Sequence, residues 1–193
     1  MKEKLKALTR DAWNVPNMLT MLRLILVPVF IVLYMKDLPY AALAVFCIAS
    51  LTDMLDGYLA RKNNQITSFG KLMDPLADKL LVISSLICHA LKGVFPWIAI
   101  ILVAFKEICM VAGGLLLLNK KNIVVHANFF GKLATCFFVG ALIAGFFHTW
   151  FLSVNVPVDV ILLWASVVLS YTAAFSYLIQ TIQALKTGSS GNT

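Results

Sequence analysis

The chain has 193 residues, 61% of them hydrophobic and 13% charged, with a formal net charge of +7. A soluble globular domain carries about 25% charged residues, so the chain has too little polar surface for a water-soluble fold, and a bilayer is the expected solvent for much of it. The basic residues stand at the ends of apolar runs, as the positive-inside rule requires, which argues against nucleic acid as a partner; Cys47, Cys88, Cys109 and Cys136 lie inside apolar runs with no CxxC pair, which argues against a disulfide framework or a zinc site.

Residues 1–13 are predicted to form a short amphipathic helix in the membrane interface. Leu5, Leu8 and Ala12 recur at helical spacing, Lys2, Lys4, Lys6 and Arg10 fill the rest of the wheel, and Trp13 falls at headgroup level. The basic region is too long for a signal peptide, and no small-residue cleavage site follows the next apolar run. Six apolar segments come next, at about 17–36, 40–61, 72–93, 96–118, 127–149 and 157–184, each near the ~20 residues of a bilayer crossing. They are separated by Lys36-Asp37-Leu38-Pro39, by Arg61 to Phe69, by Lys92-Gly93 with Pro96 beyond, by Asn119 to Asn122, and by Ser153 to Pro157. Thr187 to Thr193 is rich in Gly and Ser and is expected to be disordered. The predicted fold class is therefore all-α integral membrane: six transmembrane helices in one domain over 14–186, preceded by the interfacial helix.

Lysine and arginine placement sets the orientation. With the N-terminus inside, the inner side receives Lys2, Lys4, Lys6, Arg10, Arg61, Lys62, Lys71, Lys120, Lys121 and Lys186, and the outer side only Lys36 and Lys92. Both termini, and the loop between segments two and three, are expected on the cytoplasmic side of a bacterial-type cell (inner) membrane. Trp97 and Trp150 fall near outer ends, as interfacial anchors do. Gly140 and Ala144, or Ala141 and Gly145, are small residues at a spacing that lets helices approach closely.

The chain has nine acidic residues. Asp53, Asp56, Asp74 and Asp78 fall close together in otherwise apolar sequence. Asp53 and Asp56 are neighbours on one helix face, and so are Asp74 and Asp78 if the helix continues through Pro75, which either starts or kinks it. An antiparallel hairpin of segments two and three would bring both pairs together near the cytoplasmic end. Four ionised carboxylates at low dielectric repel one another and need cations. Hard oxygen donors suit Mg²⁺ or Mn²⁺, and Mg²⁺ is typically held by carboxylates, waters and substrate phosphates together. The residues thus point to a divalent-metal site for a phosphate-bearing substrate. Gly57 and Gly70 leave room beside the acids, and Arg61 is placed to contact a phosphate. Pairing with Arg61, Lys71 and Lys79 is the structural alternative. His89, His126 and His148 keep no metal-ligand spacing and are assigned no catalytic role.

The pattern Asp53-x2-Asp56-Gly57-x2-Ala60-Arg61-x8-Gly70-x3-Asp74-x3-Asp78 resembles the complete motif of the CDP-alcohol phosphatidyltransferases, and the six-span layout is similar across nearly the whole chain. Within that family, Asn14 to Phe30, Leu51-Thr-Asp-Met-Leu-Asp-Gly57 and Asp74-Pro-Leu-Ala-Asp-Lys79 resemble the bacterial phosphatidylglycerophosphate synthases. The resemblance implies transfer of a phosphatidyl group from CDP-diacylglycerol to sn-glycerol 3-phosphate, with release of CMP, in a homodimeric membrane enzyme of phospholipid biosynthesis. It implies Asp53, Asp56 and Asp74 as metal ligands, Asp78 as general base and further metal ligand, and two Mg²⁺ or Mn²⁺ ions. Gly57, Ala60, Arg61 and Gly70 would shape the cytidine-diphosphate pocket.

Asn17, Thr20 and Arg23 share one broad face of the first span and are expected to help line the nucleotide or phosphate cavity, because an arginine in a span usually faces one. Lys106 and Lys132 are expected to bind the acceptor phosphate. Lys106 and Glu107 point about 100° apart on a helix and are not expected simply to neutralise one another. Two departures from the synthases fall here: Lys106-Glu107 replaces their usual Arg-Glu, and Gly131-Lys132 is followed by Leu133-Ala134-Thr135 without a second lysine. The same chemistry with phosphatidylglycerol, inositol phosphate or serine as acceptor stays open. A divalent-cation transporter would spread its acids along a path across the membrane, and a noncatalytic scaffold would have no use for the cluster.

Overall fold

The structure is a computed structural model that describes residues 15–62, 68–117 and 129–189. The interfacial helix expected over 1–13 lies outside the described residues, as do 190–193. Among the described residues every regular element is helical: α1 (Val15–Met35), α2 (Pro39–Lys62), α3 (Ser68–Leu91), α4 (Trp97–Leu117), α5 (Phe129–Gly145), α6 (His148–Ser153) and α7 (Val158–Ser189). The chain divides into two compact units, one ending at Leu91 and one beginning at Lys92.

In the first unit, α1 buries Asn17, Thr20, Arg23, Val27, Phe30 and Tyr34, a run with steps of three and four that keeps them on one helical face. The helix ends where Asp37 takes a left-handed φ of 58°, which lets the Leu38 N–H reach back to the Leu33 carbonyl at 3.2 Å and close the last turn. Pro39, whose missing N–H costs nothing in a first turn, then opens α2. α2 turns Ala42, Phe46, Ala49 and Thr52 inward, and its alanines let α1 come close. At the end away from the acids, Tyr34 packs on the ring of His89 with centroids 4.9 Å apart. His89 is fully buried, with Nδ1 2.7 Å from the Ser85 carbonyl.

Among the described residues, α1 packs extensively against both α2 and α3, and α2 and α3 touch each other less. Among the described residues, α1 thus contacts both of the helices that carry the acidic motif. Pro75 does not start its helix, because α3 begins at Ser68. Gly93 follows α3 at φ 73°, a conformation that L-residues reach only with strain.

In the second unit, α7 is the common partner of α4, α5 and α6. A side-chain carbon on Gly131 would lie 3.9 Å from Ala173, and one on Gly140 would lie 3.9 Å from Leu162, so α5 and α7 run antiparallel. Ala134, Ala141, Ala144 and Gly145 are the buried small residues of α5. The Tyr171 hydroxyl donates to the Leu102 carbonyl at 2.9 Å and ties α4 to α7. The segment expected to be continuous over 127–149 breaks instead after Gly145. The Phe147 N–H bonds to the Ala144 carbonyl at 2.8 Å, a tight turn that ends α5 before α6 begins. The apolar run Gly145-Phe146-Phe147 carries no polar signal for this break. α7 continues through Thr187 to Ser189, where the sequence suggested a disordered tail.

Asn17–Met35 and Val158–Thr181 are long and apolar enough to cross a membrane. α2 and α3 have 24 residues each, about 36 Å of helix, but the motif charges make one half of each polar. Many large apolar side chains face outward, among them Ile25, Ile48, Ile101, Ile108, Val168 and Phe175, while the buried set combines large apolar residues such as Phe30, Phe46, Phe95, Leu142 and Leu163 with alanines and with the polar Thr20, Arg23, Ser85 and Ser166.

Candidate active site

The motif acids lie at the C-terminal half of α2 and the N-terminal half of α3. Asp53 and Asp74 are partly buried and Asp78 is exposed. Asp56, Gly57, Ala60 and Arg61 continue α2, and Gly70 lies in the first turn of α3; their side chains lie outside the described residues. Asp78 stands within electrostatic reach of Asp53, Arg23 and Lys79, so carboxylates from α2 and α3 share one region of the first unit.

Two side chains of α1 reach into that region. Arg23 is fully buried, and its Nη1 lies 2.8 Å from Asp53 Oδ1. Its Nε donates to the Ala49 carbonyl at 3.3 Å, one turn before Asp53. That carbonyl also accepts from the Thr52 hydroxyl at 2.7 Å. Thr20, one turn before Arg23 and also fully buried, donates its hydroxyl to Asp74 Oδ1 at 2.6 Å. A buried guanidinium requires a counter-charge, and Asp53 supplies it. Sequence spacing placed Asn17, Thr20 and Arg23 on one face of the first helix, but not in contact with particular carboxylates. Asn17 is buried on that same face.

The donor set consists of carboxylate oxygens, the hard ligands that Mg²⁺ and Mn²⁺ take. Among the described residues, no three acidic, histidine or cysteine side chains stand close enough to form a metal cluster. The described part of the acidic set comprises one carboxylate paired with arginine, one held by threonine and one exposed. By donor chemistry the set fits a divalent cation.

The second unit holds the expected acceptor-phosphate residues. Lys106 Nζ lies 2.6 Å from Glu107 Oε1, which corrects the expectation that the two would not simply neutralise one another. Their backbone directions diverge, but the long side chains fold over and close the gap. Lys132 is exposed in the first turn of α5. A site that residue spacing did not indicate is also here: His148 Nδ1 lies 2.6 Å from Asp159 Oδ2, with Asp159 fully buried in the first turn of α7. Eleven positions separate the two, too far apart for any one-helix pattern to reveal.

The profile of the CDP-alcohol phosphatidyltransferase family matches residues 13–172. The chain belongs to this family. All the motif acids of this phosphatidyltransferase, and the α1 residues that hold two of them, fall inside the matched region. Among its relatives is the CDP-diacylglycerol–glycerol-3-phosphate 3-phosphatidyltransferase of Bacillus subtilis strain 168, 36% identical over 192 residues, covering 91% of this chain and 98% of the relative. The proteins of the same name from Escherichia coli K12 and Shigella flexneri serotype 5b are 47% identical over 73 residues, 36% of this chain and 40% of each relative.

Proposed function

We propose that this phosphatidyltransferase moves a phosphatidyl group from CDP-diacylglycerol to sn-glycerol 3-phosphate, giving phosphatidylglycerophosphate and CMP. One observation carries the reading: the chain, whose motif carboxylates Asp53 on α2 and Asp78 on α3 lie within electrostatic reach of each other, aligns over almost its whole length with a relative named for this reaction. The acceptor hydroxyl attacks the phosphorus of the phosphatidyl group, the P–O bond to CMP breaks, and the hydroxyl proton goes to a base. Asp78 suits the base role, because it is exposed while Asp53 and Asp74 are engaged by Arg23 and Thr20. Asp53, Asp56 and Asp74 would hold Mg²⁺ or Mn²⁺, as two ions with Asp78 contributing; the metal would neutralise the diphosphate oxygens and the departing CMP. Gly57, Ala60, Arg61 and Gly70 would frame the nucleotide. Lys106 and Lys132 would receive the acceptor phosphate, Lys106 with its charge shared by Glu107.

The enzyme is proposed to span the membrane six times, with both termini and the acids on the cytoplasmic side, as a homodimer. The many large apolar side chains on the outside, such as Ile25, Ile48, Ile101, Val168 and Phe175, support lipid as their solvent. The polar halves of α2 and α3 would then lie at the cytoplasmic interface.

Purified protein in detergent, given CDP-diacylglycerol, Mg²⁺ and sn-glycerol 3-phosphate, should release CMP only when the acceptor is present, and Asp78→Asn should abolish release. Release with phosphatidylglycerol, inositol phosphate or serine instead would keep the family chemistry and replace the acceptor. No release with any acceptor from folded protein would refute the reading.

A further inference from the structure

We infer that Thr20 and Arg23 are positioning residues, which make α1 the helix that presents the Asp74 and Asp53 carboxylates to the divalent cation. The inference rests on the metal reading above and names residues of this chain that control it. Thr20 and Arg23 are one turn apart on α1, and each is fully buried. Each engages the Oδ1 atom of one motif aspartate, Thr20 on α3 and Arg23 on α2. A carboxylate held by one oxygen has its second oxygen pointed in a fixed direction, and partners of this kind orient metal ligands and set their affinity. Arg23 is itself anchored, because its Nε bonds to the Ala49 carbonyl in the turn preceding Asp53. The guanidinium thus spans that turn of α2, and the Asp53 side chain is held relative to its own backbone. Because α1 packs against both α2 and α3, it links the placement of the two carboxylates. Arg23 also carries a permanent positive charge among the acids and offsets their mutual repulsion before a cation arrives.

The test is Mn²⁺ binding to the full chain in detergent, followed by the electron paramagnetic resonance signal of free Mn²⁺. Thr20→Val keeps the shape of the side chain and removes the hydroxyl, while Thr20→Ser keeps the hydroxyl. Thr20→Val is expected to weaken Mn²⁺ binding roughly 10- to 100-fold, and Thr20→Ser to restore it to near wild type. CMP release by Thr20→Val should rise toward the wild-type rate as Mn²⁺ is raised. Arg23→Lys, which keeps the charge but loses the two-point hold on Asp53 and Ala49, should weaken Mn²⁺ binding about 10-fold and provides an independent arm if Thr20→Val does not fold. Wild-type affinity in folded Thr20→Val or Arg23→Lys overturns the inference, and so does a loss in Thr20→Ser equal to that in Thr20→Val. A wild-type chain with no saturable Mn²⁺ binding overturns the metal reading itself, a result distinct from unchanged variants beside a binding wild type.

Discussion

Asp53 and Asp78 belong to one acidic set but stand in different surroundings. Asp53 is the counter-charge of a fully buried guanidinium, whereas Asp78 is exposed. Removing one partner of a buried pair leaves the other charge uncompensated, a loss of about 3–5 kcal/mol. The Asp53 side chain is 41% exposed, so Asp53→Ala should fall at the low end of that range, and Asp78→Ala should change stability by less than about 0.5 kcal/mol. Thermal unfolding in detergent with a chelator present compares the two without any contribution from bound cation; equal losses would refute the difference in role. For Lys106, the proposed role at the acceptor phosphate predicts a selective effect. Lys106→Ala should raise the KM for glycerol 3-phosphate about 10- to 100-fold, the worth of a charged hydrogen bond, and leave the KM for CDP-diacylglycerol near wild type. The acids were legible because carboxylates are rare in apolar sequence. Their partners were not, because spacing places residues on a helix face without saying which neighbouring helix that face meets.

At the scale of elements, α1 acts as the shared wall of the first unit. Ala49 is fully buried where α2 meets Arg23, and Ala49→Leu would force extra carbon into a close contact. Overpacking of this kind costs about 1–3 kcal/mol, and it should push Arg23 away from the Ala49 carbonyl. CMP release should fall by more than the loss of stability explains, which parallel melting curves and rate measurements would reveal. The short helix α6 depends on another pair. His148 at its start meets the buried Asp159 of α7, so Asp159→Ala should release α6 and speed amide hydrogen exchange over 148–153. Unchanged exchange there would show that the apolar contacts of α6 hold it without the pair. The long helices were predicted nearly to their ends because apolar runs bounded by Asp37, Gly93 and Pro39 have few alternatives. The break after Gly145 was not predicted, because it is made by backbone hydrogen bonds within a uniformly apolar run.

For the whole molecule, the six-span reading predicts sidedness. In a chain freed of its native cysteines, Lys36→Cys and Lys92→Cys should react with a membrane-impermeant maleimide added to intact cells, and Lys120→Cys only after permeabilisation. The opposite pattern would invert the topology. Composition, the charge distribution and periodicity by themselves pointed to a helical chain with acids concentrated in one stretch, and the resemblance of that stretch to a known motif pointed to the family. These are local or statistical properties, carried by periodicity and by how rarely a charge is tolerated among apolar residues. Only the tertiary structure decided that α1 packs against both helices of the motif, that Arg23 and Thr20 each hold one carboxylate, and that His148 meets Asp159. Such contacts depend on which helices become neighbours, and that follows from the packing of whole faces, not from the spacing of residues along any one of them.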